Sequence, residues 1–433
     1  MTLTDIDRRI LRLAFPALGA LAAEPLFRLV DTAIVGRLGT EQLGGVAVAV
    51  SVLSLVIAGS NFLAYGTTQR VANRLGGSDP IGAANSGRQA LWIGTVIGLV
   101  ATPLLVGLAP LWVRLLGAGG EVADFAVTYL RISALGVPFV VVGLAAQGIQ
   151  RGASDYRSSL VVLVAANVVN AVVEIVMVLV YDLGVAGAAW STVLAQALAG
   201  IALVWRARPP IRPGTTRRPR WSEMQPLLSA GKHLLLRVAS MLVVFTGATS
   251  VAARLDDATL AAHSIANTMF LFLALTLDAL AVPAQTLVAE ELGRGGSGAA
   301  EVSRRAVRLS VRIGVVVALV VAVASPVISR VFTDDGDVVE RATIALLFLA
   351  AMLIPGSVAF ATDGSLIGAG DYRFLGRAAL AYLVAVAPIA AVVLLVPGLG
   401  IAGIWGGLLV WMTLRAVVNS RRAAVVLPSR APL

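Results

Sequence analysis

The chain has 433 residues, 58% of them hydrophobic and 13% charged, with a net charge of +10 and a mean hydropathy of +0.88. A soluble fold is excluded, because soluble domains carry about 25% charged residues, and at ~20 apolar residues per crossing the length accommodates roughly ten to fourteen spans. With no Cys and two His, disulfides and thiolate or imidazole metal sites are set aside; the Arg residues interrupt apolar runs instead of forming a basic domain, which sets nucleic acid aside as a partner.

In chain order the apolar runs predict twelve helices, near residues 10 to 36, 42 to 66, 89 to 113, 124 to 149, 158 to 181, 184 to 205, 232 to 254, 259 to 287, 306 to 332, 341 to 368, 376 to 396 and 400 to 420. The polar opening, with Asp5, Asp7, Arg8, Arg9 and Arg12, leads into the first run without a small-residue cleavage site, so helix 1 is read as permanent. Helix 1 places Glu24, Arg28 and Asp31 on one face, and Pro16 and Pro25 interrupt its backbone bonding. Helix 2 adds Asn61, helix 4 Gln147, and helix 5 Asn167, Asn170 and Glu174 at helical spacing. The Pro- and Arg-rich stretch Pro209 to Pro219 then divides the chain into a six-helix lobe (residues 1 to 206), a linker (207 to 231) and a second six-helix lobe (232 to 433). Helix 7 carries Arg237, Met241 and Phe245; helix 8 carries Met269, Phe270, Asp278 and Gln285; helix 10 carries Asp363.

Loops after even-numbered helices hold most of the Arg residues, such as Arg206, Arg208, Arg212, Arg304, Arg305 and Arg308, whereas the opposite loops hold Asp256, Asp257, Asp334 and Asp335. The positive-inside rule then places the Arg-rich loops and both termini in the cytoplasm, in a multi-pass protein of the cell membrane. A shift of 217 residues superposes Leu38 on Leu255, Ala72 on Ala289 and Gly76 on Gly293, and a shift of 216 carries Gly148, Gly152, Asp155, Tyr156 and Arg157 onto Gly364, Gly368, Asp371, Tyr372 and Arg373. Because six is even, the repeats are parallel. The expected fold is an all-α polytopic membrane protein, twelve transmembrane helices in two parallel six-helix repeats whose lobes enclose a cleft. The charges are not duplicated: Arg28 and Asp31 fall on Phe245 and Ala248, Asn170 and Glu174 on Val386 and Ala390, and Gln147 on Asp363.

An ionisable residue within a span is costly and ordinarily faces the protein interior. The first lobe is therefore expected to handle a coupling ion through Asp31, Glu174, Asn170, Asn167, Glu24, Arg28 and Asn61. Glu24 is expected to pair with Arg28, and Asp31 to share a mobile proton with Glu174. The substrate cleft is assigned to Asp363, Asp278, Arg237, Gln147 and Gln285, with Met241, Phe245, Met269 and Phe270 as adaptable apolar walls. Asp363 and Asp278 either receive a cationic substrate or cap a broken helix. An intramembrane enzyme would need a nucleophile elbow, a Cys or a His pair at ligand spacing, none of which is present. No catalytic residue, cofactor or metal is expected. The partners are drug-like small molecules and the bilayer, and a monomer suffices because the repeat supplies both walls.

These residues resemble the multidrug and toxic compound extrusion (MATE) transporters, most closely the DinF branch. The resemblance is carried by Glu24-Pro25-Leu26 followed by Val30-Asp31-Thr32-Ala33-Ile34-Val35-Gly36-Arg37-Leu38-Gly39. Asn170 with Glu174 ahead of Gly184-Val185-Ala186-Gly187, Ala261-Ala262-His263-Ser264-Ile265-Ala266, and Asp363-Gly364 with Gly368-Ala369-Gly370-Asp371 complete it. It implies the fold of the wider MOP superfamily and an antiporter that exports varied, often cationic or amphipathic drugs by alternating access, driven by protons or alternatively by sodium. Asp31 is the position tied to ion coupling, and Glu174, where Asp is usual, faces it. Arg237 stands where another branch has Glu, so that branch's cation site is not carried over. The rival within the superfamily is a lipid-linked oligosaccharide flippase, which tends to have a basic cleft.

Overall fold

The computed structural model describes residues 4 to 207, 215 to 216 and 218 to 428, with Glu24 described by its backbone alone. Among these residues twelve helices are long and apolar enough to cross a membrane. They are α1 (Asp5–Val35), α2 (Thr40–Gly76), α3 (Pro80–Gly107), α4 (Gly120–Gly152), α5 (Tyr156–Val180), α6 (Gly184–Ala207), α7 (Trp221–Leu255), α8 (Asp257–Gly293), α9 (Ala299–Phe332), α10 (Gly336–Gly368), α11 (Tyr372–Leu395) and α12 (Pro397–Val426). A short helix, Ala109–Leu115, follows α3, and the described residues contain no strand. In hydrocarbon each unpaired N–H or C=O costs several kcal/mol, and a helix satisfies them within its own run. Aspartates start several of the runs. Asp79 accepts from the Gly82 amide at 2.8 Å ahead of α3, with Pro80 at the first turn, Asp155 accepts from Ser158 at 3.1 Å, and Asp335 from Val338 at 3.1 Å.

Several helices are longer than their apolar runs. α7 begins at Trp221 instead of near 232, α8 continues to Gly293 instead of 287, and α9 begins at Ala299 instead of 306. Hydropathy measures only the stretch that needs hydrocarbon, whereas the backbone ladder continues through polar turns until a cap or glycine stops it. α3 begins at Pro80 and ends at Gly107, so the expected run to 113 is completed by the separate helix Ala109–Leu115. α1 stays helical through both Pro16 and Pro25. α2 is interrupted at Asn61, and α5 widens into a π-turn over Val176–Val180, just beyond Glu174. Such wide turns are rare and concentrate at functional positions.

The contacts separate two compact units: Met1–Leu18 with Lys232–Leu433, and Gly19–Gly231. One boundary lies between Gly231 and Lys232, inside α7, at the residue where the sequence reading starts the second lobe, and the other lies between Leu18 and Gly19, inside α1. Each unit has its own packing. In the first, Trp405, Trp411, Leu346, Leu349 and Met352 are buried almost completely.

The repeat is legible in specific close contacts. A Cβ on Gly148 would sit 2.8 Å from the Ala64 carbonyl oxygen, and one on Gly152 3.0 Å from that of Thr68. In the other unit a Cβ on Gly364 would sit 2.2 Å from the Ala281 oxygen, and one on Gly368 2.4 Å from that of Gln285. Residues 64 and 68 map onto 281 and 285 under the shift of 217. The same two glycines thus bring α4 against α2 in one unit and α10 against α8 in the other. Small residues of this kind allow membrane helices to approach backbone to backbone.

Candidate functional site

In the unit Gly19–Gly231, Asp31 of α1 and Glu174 of α5 lie close enough for their charges to interact directly. They are 7% and 0% exposed, and Asn170, one turn before Glu174, is 2% exposed. Tyr129 of α4 lies within the field of both carboxylates and beside Thr192 of α6 and Ser133. Arg28, one turn from Asp31 on α1, attracts its charge. Both Glu174 oxygens, Oδ1 of Asp31 and Oδ1 of Asn170 are buried and receive no hydrogen bond from the protein. Buried acceptors are ordinarily satisfied, and these four are not. Two adjacent carboxylates in a low dielectric repel each other strongly, and a proton on one both removes a charge and supplies a donor for the other. The arrangement can therefore hold one transferable proton.

The other unit carries a different cluster. Asp363 of α10 accepts from Arg237 of α7 at 2.5 Å, from Arg415 of α12 at 2.7 Å and from Asn419 at 2.5 Å. Asn419 in turn accepts from the Tyr382 hydroxyl at 2.8 Å. The Arg415 guanidinium lies 4.6 Å from the Trp411 ring centre and 5.6 Å from that of Phe360. Asp363 thus has both oxygens occupied, and its partners on α7 and α12 are tied together through it.

The expected ion-site residues divide in the structure. Asp31 and Glu174 come together, and Asn170 is buried one turn before Glu174 on α5. Asn167 donates to the Ala23 carbonyl at 3.0 Å, tying α5 to the α1 backbone. Asn61 marks the break in α2. The expected Glu24–Arg28 pair falls outside the described residues, because the Glu24 side chain is not among them. Of the expected cleft residues, Arg237 and Asp363 meet in the ion cluster. Gln147 accepts from Arg151 at 3.1 Å, Gln285 is 1% exposed, and Asp278 is partly buried on α8. Phe245 stacks on Phe270 with ring centres 4.9 Å apart and meets Trp411 edge-on at 5.6 Å. Met241 and Met269 pack against the same apolar cluster. In this structure the four pack against the apolar cluster of their unit, and Met241 also lines the small cavity around Asp363. Among the described residues no group of three or more His, Asp or Glu is placed to hold a metal.

The MatE family model matches residues 16 to 176 and 234 to 401. The chain belongs to the MatE family. Its MatE relatives include the chloroplastic DETOXIFICATION 44 of Arabidopsis thaliana, 33% identical over 443 residues, covering 96% of this chain and 82% of the relative. DNA damage-inducible protein F (DinF) of Escherichia coli K12 is 29% identical over 427 residues, covering 96% and 91%. Among solved structures, a MOP superfamily transporter from Pyrococcus furiosus superposes with a TM-score of 0.88 at 21% identity, covering 98% of this chain and 96% of that one. The twelve-helix MATE fold and the DinF-like, multidrug-transporter kinship that the motifs implied are thereby established for this chain.

Sequence reasoning missed Arg415 and Asn419, although an Arg inside the final apolar run of this MatE chain was a readable signal of the same kind that singled out Arg237. Tyr129, Ser133 and Thr192 had no comparable signal. Hydroxyl residues are common in spans, and only the fold brings α4 and α6 beside the α1–α5 carboxylates.

Proposed function

We propose that this MatE-family protein is a proton-coupled antiporter that exports drug-like, often cationic or amphipathic compounds across the cell membrane by alternating access. The observation that carries the reading is the adjacency of Asp31 and Glu174, buried with acceptor oxygens that no protein donor satisfies. A proton taken up there removes a charge from the interior and changes which groups α1 and α5 attract, so protonation biases one conformation over another. Sodium is the less favoured ion because only two carboxylates meet there, and among the described residues no group of three or more His, Asp or Glu is placed to hold a metal ion. The Arg excess of the loops after even-numbered helices supports cytoplasmic termini. The test is export of a fluorescent cationic dye from proteoliposomes under an imposed pH gradient or an imposed sodium gradient. A pH gradient is expected to drive export, and Asp31→Asn and Glu174→Gln are each expected to abolish it in protein that still folds. Full gradient-driven export by Asp31→Asn would overturn the assignment.

A further inference from the structure

The repeat sets the polar site of one unit against a matched position in the other. Under the shifts of 216 and 217, Asp31 maps onto Ala248, Asn170 onto Val386, Glu174 onto Ala390 and Thr192 onto Leu408. All four counterparts line one cavity in the unit containing Lys232–Leu433, between α7, α11 and α12. Its volume is about 220 Å³, its lining side chains are all apolar, and Gly247 leaves open space beside it. At these four matched positions the polar side chains of one unit are replaced by Ala, Val, Ala and Leu in the other.

Drug-sized ligands occupy roughly 300–1,000 Å³, so the recess holds part of a molecule. Next to it lies the ion cluster, whose Arg237, Tyr382, Arg415 and Asn419 stand on the same three helices and whose Asp363 comes from α10. Met241 is one turn from Val244, Tyr382 one turn from Val386, and Trp411 one turn from Leu408, and the first of each pair lines the small polar cavity around Asp363. At 1.5 Å per residue, Arg415 and Leu408 are separated by about 10 Å along α12. The charged residues lining that polar cavity are two arginines, Arg237 and Arg415, and one aspartate. The two recesses together thus offer cationic groups at one end and a dry hydrocarbon surface at the other.

We propose that this unit binds an acidic amphiphile among the exported compounds, with the apolar tail in the recess framed by Gly247, Ala248, Val386, Ala390 and Leu408 and the anionic head drawn to Arg237 and Arg415. The polar cavity itself measures about 10 Å³, room for a single water, so head-group binding requires the side chains there to part. The assignment rests on the transport reading above and specifies a substrate class for it. Amphiphiles with a cationic head are disfavoured at this position by the two guanidiniums.

The test is direct binding to purified protein in nanodiscs, followed by tryptophan fluorescence, with octanesulfonate as the probe, octyltrimethylammonium as the cationic match and methanesulfonate as the tail-less control. Octanesulfonate is expected to bind at least tenfold more tightly than either control. A Cβ on Gly247 meets no atom within 4 Å, so Gly247→Leu fills the recess without displacing backbone and is expected to weaken octanesulfonate at least tenfold. Arg237→Gln is expected to lower the preference for sulfonate over ammonium. Equal affinity for the two head groups, or octanesulfonate binding untouched by Gly247→Leu, overturns the proposal; occupation of the recess by bilayer lipid would appear as the latter. Failure of the wider transport reading is separable, because it would appear as absence of gradient-driven dye export by the unmodified protein whatever octanesulfonate does.

Discussion

Replacing Asp363 with Leu asks whether the Arg237–Asp363–Arg415 cluster is a structural tie. Asp363 holds Arg237 at 2.5 Å and Arg415 at 2.7 Å, and the side chains are 5%, 15% and 3% exposed. Removing the carboxylate leaves Arg415 with the Met412 sulfur at 3.5 Å and two aromatic faces. Cation–π contacts contribute about 0.5–2 kcal/mol each, and no sulfur or ring supplies the lost counter-charge. Breaking a buried ion pair by removing one partner costs about 3–5 kcal/mol, so Asp363→Leu is expected to lose about that much. Removing the second partner as well takes away the stranded charge, and Asp363→Leu with Arg415→Leu is therefore expected to be less destabilised than the sum of the two single changes. The assay is reversible unfolding in mixed micelles, read by tryptophan fluorescence. A loss of less than about 1 kcal/mol for Asp363→Leu, or strict additivity in the double variant, would refute the reasoning and return Asp363 to the role of a freely available substrate carboxylate.

Arg422→Ala provides the contrast. Its pair with Asp371 is also 2.7 Å, but its side chain is 40% exposed, so the loss is expected to stay below about 1 kcal/mol and to shrink in high salt, measured by the same unfolding. Gly364→Ala places a methyl 2.2 Å from the Ala281 carbonyl oxygen; backbone cannot yield as a side chain does, and a loss of about 1–3 kcal/mol or more is expected. Gly247→Ala, with open space around the new methyl, is expected to be neutral in stability. Asp256 accepts from the Thr259 amide at 2.9 Å and pairs with Arg341 ahead of α8. The Arg341 hydrogen bond first, and the Thr259 amide next, hold its carboxyl at about 2 against the ordinary 3.8. A depressed carboxylate stabilises above its unfolded value and loses that contribution as pH falls, so the cost of Asp256→Ala, about 1 kcal/mol for a lost cap, is expected at neutral pH and to vanish as the medium is acidified from 3.8 toward 2. An undiminished cost at the acid end would refute the charge argument.

What the sequence revealed follows from which forces act locally. The helix count was legible because hydrocarbon imposes the same requirement on every span, and the repeat was legible because Gly148 and Gly364 each stand against a backbone oxygen that tolerates no larger residue. Helix ends were not, because the polar turns at Trp221 and Gly293 satisfy their own backbone beyond the apolar limit. The carboxylates were found one at a time as charges in spans, and Asn170 through its spacing from Glu174. For Phe245 and Phe270 the sequence could not show that the two rings stack on each other 4.9 Å apart, because an aromatic residue on a polar-bearing helix reads equally as cleft wall or as core. Arg415 was readable and was passed over.

The duplicated architecture also explains why polarity can be concentrated in one unit without loss of fold. Among the contacts within each unit are glycine-to-backbone approaches, and the two glycines of each recur at matched positions in the other. Nothing in them requires Asp31 or Glu174. At the matched recess of the other unit, Ala248, Val386, Ala390 and Leu408 leave an apolar hollow, which costs packing energy but no desolvation of charge. A buried carboxylate pair costs more than that unless a proton or cation offsets it. Two copies of the pair would carry that cost twice, whereas under the proposed proton coupling a single pair suffices. Under the two proposals made above, the apolar recess takes hydrocarbon where the matched positions of the other unit take a proton, and the asymmetry in charge is then a division of labour between the halves of the chain.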